Sequence, residues 1–229
     1  GINDERVFTL RTVPDTLKIR GFIDEKHPRR AEVVGGGYIG MEMAENLVQA
    51  GLTVTVVELA DHVIAPLDFD MACDVQRYVK SKGVELRLGK AVKAIKSDGG
   101  ALAAVLDGET IETDMVLMSV GVRPDSRLAG LAGLQLTPRG AIVVDDRMRT
   151  SDPFIFAVGD AVQVTNPITG QPAFIPLAGP ANKQGRIAAD NICGIPSSYK
   201  GTLGAAVLKL FDMTVATTGL NEQAAKAAG

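Results

Sequence analysis

The chain has no tryptophan, only three tyrosines and seven phenylalanines, and just two cysteines and two histidines. So few aromatic rings leave little for nucleic-acid bases to stack on, and a net charge of −3 with interleaved signs supplies no basic stripe for a phosphate backbone. Nucleic acid is therefore not an expected partner. Cys73 and Cys193 lie far apart in sequence and belong to no Cys-x-x-Cys or metal-ligand spacing. They read as small buried apolar residues, and no metal site is expected. The longest apolar runs are strand-length, and no basic segment followed by an apolar one opens the chain. Neither a membrane span nor a secretory signal is expected, which makes the cytoplasm the default location.

Glycine, by contrast, is plentiful, with 25 residues, and 46% hydrophobic residues over 229 positions suffice for one large or two modest cores. Three of the glycines form the pattern Gly35-x-Gly37-x-x-Gly40 between the β-branched Val33-Val34 and the helix-forming stretch Met41-Glu42-Met43-Ala44. That context predicts a strand, a tight turn and a helix. Gly35 suits the turn, Gly37 carries no side chain to hold a pyrophosphate away, and Gly40 permits close packing of helix and strand. The amides of Gly37, Tyr38, Ile39 and Gly40 then open a helix whose positive dipole end favours an anion. A second apolar run, 52–57, ends at Glu58, 18 positions beyond Gly40, where an acid can accept hydrogen bonds from an adenosine ribose. A glycine-rich turn alone need bind nothing, but the flanking strands and terminal acid favour a dinucleotide. The carboxylate favours NADH over NADPH, while His62 or a residue distant in sequence leaves NADP(H) open.

The rest of the chain reads as an α/β protein: a Rossmann-like domain with a parallel sheet and a small β-meander, followed by a second α/β segment. Residues 1–30 form a connection with a short strand at 7–10 and a helix from Pro14 to about Glu25. Residues 31–120 form the nucleotide domain, with a helix from Asp68 to Gly83 and a strand at 84–88. A meander follows at 92–96, 101–106 and 110–112, with a turn at 97–100, and then a buried strand at 114–120. That strand runs into Gly121, where bare backbone can approach a ligand, although a plain crossover would read the same. Residues 121–196 hold a strand at 141–144 and an apolar strand, taken as buried, that stops at Gly159-Asp160. Asp160 is placed to receive a ligand hydroxyl or, equally, to cap a turn. A helix over 181–193 presents free amides near Leu177, Ala178 and Gly179. Residues 197–229 start a further domain, with strand-like segments at 206–211 and 215–218 and a helix start at Asn221.

Four motifs in this order, Gly35-Gly36-Gly37-Tyr38-Ile39-Gly40-x-Glu42-x-Ala44, Gly121-x-Arg123-Pro124, Phe156-Ala157-x-Gly159-Asp160 and the stretch from Pro176 to Arg186, resemble the FAD-dependent pyridine nucleotide-disulfide oxidoreductases. The likeness is to the branch that contains CoA-disulfide reductase, NADH oxidase and NADH peroxidase. It implies an FAD/NAD(P)-binding fold in which residues 121–196 are the second part of an FAD domain and 197–229 the start of an interface domain. It also implies NADH at the first glycine motif and Glu58, Tyr38 as a gate over the nicotinamide, and Glu42 as the acid touching the carboxamide. Asp160 would bind the FAD ribityl chain, and the amides near Ala178 and Gly179 would face the flavin pyrimidine edge. From the residues alone, Tyr38 reads as packing and Glu42 as a first-turn acid. The resemblance further implies a homodimer and an acceptor such as CoA disulfide, persulfide, peroxide or O2. The family's first glycine fingerprint and its redox cysteine are not matched here, so the chain resembles the middle and later portion of a subunit. Two other readings remain: a nucleotide-binding or sensing module without a redox centre, and a reductase for ferredoxin-like or rubredoxin-like partners.

Overall fold

The computed structural model describes residues 1–98 and 100–229; Gly99, in the turn expected at 97–100, lies outside the described residues. The chain divides into two compact units, Gly1–Gly121 with Val207–Val215, and Val122–Ala206 with Ala216–Gly229.

In the first unit, β1 (Val7–Thr9) leads into α1 (Val13–Lys26), which a capping box between Thr12 and Asp15 starts and the left-handed His27 ends. The glycine-motif unit follows as β2 (Arg30–Val34), α2 (Tyr38–Gln49) and β3 (Thr53–Glu58). Next come α3 (Phe69–Ser81), β4 (Val84–Leu88), a meander of β5 (Val92–Asp98), β6 (Ala101–Leu106) and β7 (Thr110–Thr113), and β8 (Met115–Met118). Five strands form one parallel sheet in the order β1-β8-β2-β3-β4. The short strand at 7–9 pairs with β8, far downstream, at one end of this strand order.

The sheet is covered on both faces, and this explains its near-continuous apolar strands. Val33, Val54, Val56 and Leu117 pack with Met41, Ala44 and Leu47 of α2 and Val75 and Val79 of α3. Residues of opposite parity, Val34, Val57 and Val116, meet Ile95, Leu102, Ala104 and Leu106 of the antiparallel meander. A one-residue slip of β2 would exchange the two faces, so the two-sided burial holds the register that places the Gly35 turn.

The second unit contains α4 (Arg127–Leu131), a 3-10 turn at Gly159–Ala161, the two-residue strands β9 (Val164–Thr165) and β10 (Pro172–Ala173), and α5 (Ala178–Ile192). Its core gathers Ala129, Ile142, Met148, Val162, Val164, Ala188 and Tyr199. Two expected strands are absent as ladders. Residues 141–144 make isolated bridges through Ile142, to Leu136 and Val162, and residues 154–158 make one, Arg149 to Phe156. Nor is the second segment buried: Phe154 is 91% exposed. Both segments do hydrogen-bond to neighbouring backbone, residues 141–143 to Gln135, Thr137, Ala161 and Gln163 and residues 155–157 to Met148 and Thr150, but the bridges stay isolated and do not extend into a ladder. The chain closes with a hairpin of β11 (Ala206–Leu210) and β12 (Met213–Thr217), then α6 (Glu222–Ala228) capped by the Asn221 side chain. Leu208, Leu210 and Val215 of the hairpin join the core of the first unit, where the Tyr78 hydroxyl accepts from the Asp212 amide at 3.0 Å.

Candidate functional site

The turn between β2 and α2 has its backbone held from four directions. Gly35 has φ +108°, a conformation an L side chain resists, and its N–H donates to Val57 O at 2.8 Å. The Ser119 hydroxyl reaches Val34 O at 3.0 Å and Gly35 O at 3.1 Å. The Gly36 N–H donates to Glu58 Oε2 at 2.5 Å, and Gly36 O accepts from the Ile64 N–H at 2.8 Å. A methyl at Gly40 would overlap the Gly35 carbonyl oxygen, so the missing side chain lets α2 sit directly on the turn. A methyl at Gly37 would meet nothing within 4 Å, and this side of the turn is open.

Gly37 caps α2 without a side-chain hydrogen bond, and Met41 is the residue whose N–H returns to Gly37 O, at 3.0 Å. Among the described residues, the Ile39 and Gly40 amides have no acceptor. They stand at the positive end of a twelve-residue helix, next to the open face. The arrangement is a cradle for an anionic group.

Glu58 is the pivot of this site. Besides Gly36, its carboxylate accepts the Ala60 N–H on Oε1 at 2.8 Å, so the two oxygens tie the end of β3 to the glycine turn and to the loop after it. Lone pairs remain on both oxygens for hydroxyl donors. The loop is fastened further by the buried Gln76, whose Oε1 accepts the Val63 N–H at 3.2 Å. His62 points one ring nitrogen at Asp61, 2.6 Å away, and sets its ring edge-on to Phe69.

The other residues singled out in this unit fall nearby in the fold. Tyr38 is half-buried against the main core, whereas Glu42 is exposed and borders a crevice of about 260 Å³ with Arg11, Thr12 and Ile39. Gly121, just past β8, has φ +92°, and a methyl there would meet nothing within 4 Å, so its backbone is open.

The second unit brings Gly159, Asp160 and the start of α5 together. Gly159 has φ +80°, and its N–H donates to Oε1 of Gln184 at 2.7 Å, from a side chain that is 1% exposed. A methyl on Gly159 would stand 3.8 Å from Ala181 Cβ, which sets the Gly159–Ala161 turn against the first turn of α5. Asp160 is exposed there. Leu177 caps α5 without a side-chain bond, Pro180 has no N–H to offer, and the Ala178 and Gly179 amides lack acceptors among the described residues. This is a second anion-favouring helix end, with a carboxylate beside it.

The sequence reading passes over Ser119 and Gln76, and it includes Gln184 in the Pro176–Arg186 stretch without giving it a role. Their contacts are not visible locally, because each acts on a turn distant in sequence. The cysteines also differ from expectation: Cys73 is half-buried and Cys193, which ends α5, is exposed. Among the described residues no group of three or more His, Cys, Asp or Glu could hold a metal, and no helix is long and apolar enough to cross a membrane.

Comparison with known proteins adds three kinds of likeness. A family model described as pyridine nucleotide-disulphide oxidoreductase matches residues 1–185. An NADH oxidase of Methanocaldococcus jannaschii is 40% identical over 215 residues, covering 93% of this chain and 48% of the relative. Among solved structures, reduced Bacillus anthracis CoADR-RHD is 50% identical with a TM-score of 0.93, over 97% of this chain and 40% of that one. A NAD-dependent persulfide reductase from A. fulgidus is 40% identical with a TM-score of 0.96, over 100% of this chain and 43% of that one. The chain spans about half the length of the curated relatives it matches.

Proposed function

This chain belongs to the pyridine nucleotide-disulphide oxidoreductase family, and on that premise we propose that its first unit binds NADH and its second unit contributes to an FAD site. The observation that carries the reading is the Gly35–Gly40 turn: the Gly35 and Gly36 N–H groups are satisfied within the fold, the Ile39 and Gly40 amides have no acceptor among the described residues, and Glu58 is tied to the turn by hydrogen bond. The pyrophosphate takes the Ile39 and Gly40 amides over the bare Gly37, and the adenosine ribose donates to Glu58. Tyr38 opens α2 and Glu42 follows one turn later, beyond the first turn, Tyr38 covering the nicotinamide pocket and Glu42 reaching the carboxamide; the open backbone at Gly121 lets the ligand approach β8.

In the second unit, Asp160 accepts hydroxyls of the FAD ribityl chain while the Leu177–Gly179 end of α5 turns its amides to the flavin edge. The fit rests on two features: Gln184 fixes the Gly159 peptide, and the unpaired amides sit where negative charge is stabilised. FAD, when bound, supplies a two-electron carrier between nicotinamide and acceptor. In the net reaction NADH and one proton reduce a disulfide to two thiols, with persulfide, peroxide or O2 as the alternative acceptors. Neither Cys73 nor Cys193 matches the family's redox cysteine, so this chain by itself is expected not to turn over CoA disulfide. Measurable turnover would overturn that.

Calorimetric titration with NADH and NADPH tests the cofactor reading, and tighter NADPH binding refutes the role given to Glu58. Glu58→Ala is expected to weaken NADH binding by about 1–2 kcal/mol, the scale of hydrogen bonds to a charged group. An unchanged affinity would place the ribose elsewhere.

A further inference from the structure

The peptide joining Gly35 to Gly36 is gripped at both of its polar ends. Its N–H, on Gly36, belongs to Glu58 at 2.5 Å; its carbonyl, on Gly35, shares the Ser119 hydroxyl proton, at 3.1 Å, with Val34 O at 3.0 Å. A trans peptide points its N–H and C=O in opposite directions, so holding both ends fixes the rotation of the whole plane. Glycines on either side offer almost no torsional resistance, and without such restraints the plane would turn freely. The following peptide inherits the setting: Gly36 O faces the Ile64 N–H at 2.8 Å, which directs the Gly37 N–H the other way, out of the loop.

Ser119 is suited to this task by its place in the sheet. It follows β8, the strand beside β2, and its own N–H donates to Val34 O at 2.8 Å, so the hydroxyl is anchored within one residue of its acceptors. Its carbonyl oxygen lies 2.5 Å from where a methyl on Gly35 would be, and its Oγ lies 2.7 Å from the corresponding point on Gly40. One residue, by its carbonyl and its hydroxyl, thus borders the first and third glycines of the motif.

We propose that Ser119 is a positioning residue for the pyrophosphate, which sets the Gly35–Gly36 peptide from below so that the turn presents its amides to phosphate oxygens. The role rests on the NADH reading above. It divides the labour at this site: Glu58 serves the ribose and one end of the peptide, whereas Ser119 serves only the peptide. Ser119 therefore matters to ligands with a pyrophosphate and not to those that end at the ribose.

The 229-residue chain and its Ser119→Ala and Glu58→Ala variants, each confirmed folded by thermal melting, are titrated with NADH by calorimetry and with adenosine by NMR. Ser119→Ala should lose roughly fivefold in NADH affinity, as for one net hydrogen bond, and bind adenosine as the parent does. Glu58→Ala should lose affinity for both. An unchanged NADH affinity in Ser119→Ala, or equal losses for NADH and adenosine, overturns the Ser119 role while leaving the NADH reading intact. Failure of the parent chain to bind NADH overturns both.

Discussion

At Gly35 and at Gly159, a glycine with positive φ, +108° and +80°, turns the chain at the end of an extended segment, and a side chain from another element holds the turn. Ser119 donates to Gly35 O at 3.1 Å, and Gln184 accepts from the Gly159 N–H at 2.7 Å. The segments leading into the two turns differ. Val33 and Val34 run between β3 and β8 with neighbours on both sides, whereas residues 154–158 have a single bridge and leave Phe154 91% exposed. In the first unit the turn is set by the sheet; in the second it is set by α5. A turn geometry that suits a ligand can thus be held without a ladder, provided a buried polar side chain on a neighbouring helix takes over.

The comparison is most open to attack at its glycines. Gly35→Ala would place a methyl 2.5 Å from Ser119 O in a left-handed conformation, and it is expected to cost about 4 kcal/mol of stability together with NADH binding. Urea unfolding and calorimetry check both. If the variant is as stable as the parent, the sheet does not set this turn.

Buried polar groups give the next contrast. Gln184 has its partner, but Glu32 in β2 is 0% exposed and neither of its carboxylate oxygens has one. Burial, helped by the charge of Glu109, raises its pKa from 4.5 to about 7. Below pH 4.5 both folded and unfolded chains keep the proton and nothing is lost. Between 4.5 and 7 the unfolded chain releases it more readily, so stability falls by about 3 kcal/mol and then levels off above 7. Glu32→Gln should remove this slope, gaining stability at pH 8 and not at pH 4 in denaturant melts. A parallel pH profile for variant and parent would mean that Glu32 is ionised in the fold.

Smaller effects are expected in the second unit. Gln184→Leu preserves bulk but strands the Gly159 N–H, at a cost of about 2 kcal/mol. Gly159→Ala meets only Ala181 Cβ at 3.8 Å and should cost about 1–2 kcal/mol for backbone strain alone. Thermal melts rank the two. A loss at Gly159 as large as that at Gly35 would erase the distinction between the two turns.

The first unit was legible in the sequence because its signals are local. Alternating and continuous apolar runs, the helix entry at Pro14, the glycine spacing and the acid at the end of β3 each declare an element within a few residues. The expected strands at 141–144 and before Gly159 show the limit of that logic: apolar and β-branched residues propose a strand, but a ladder needs successive paired residues, and here the bridges stay isolated. The roles of Ser119 and Gln184 were illegible for a related reason, since each contributes through a contact 84 or 25 residues away. Cys193 shows the converse, for the usual burial of its residue type says nothing about a position that closes a surface helix.

The double amide grip on Glu58 has a consequence for the thermodynamics of recognition. A long carboxylate side chain loses rotational freedom when a ligand immobilises it, at about 0.5–1.5 kcal/mol for a flexible residue. Here the Gly36 and Ala60 amides have already stilled it during folding. On the NADH reading proposed above, an arriving ribose would meet an acceptor with its direction chosen in advance, and discrimination at this position would come from geometry held in the unliganded chain.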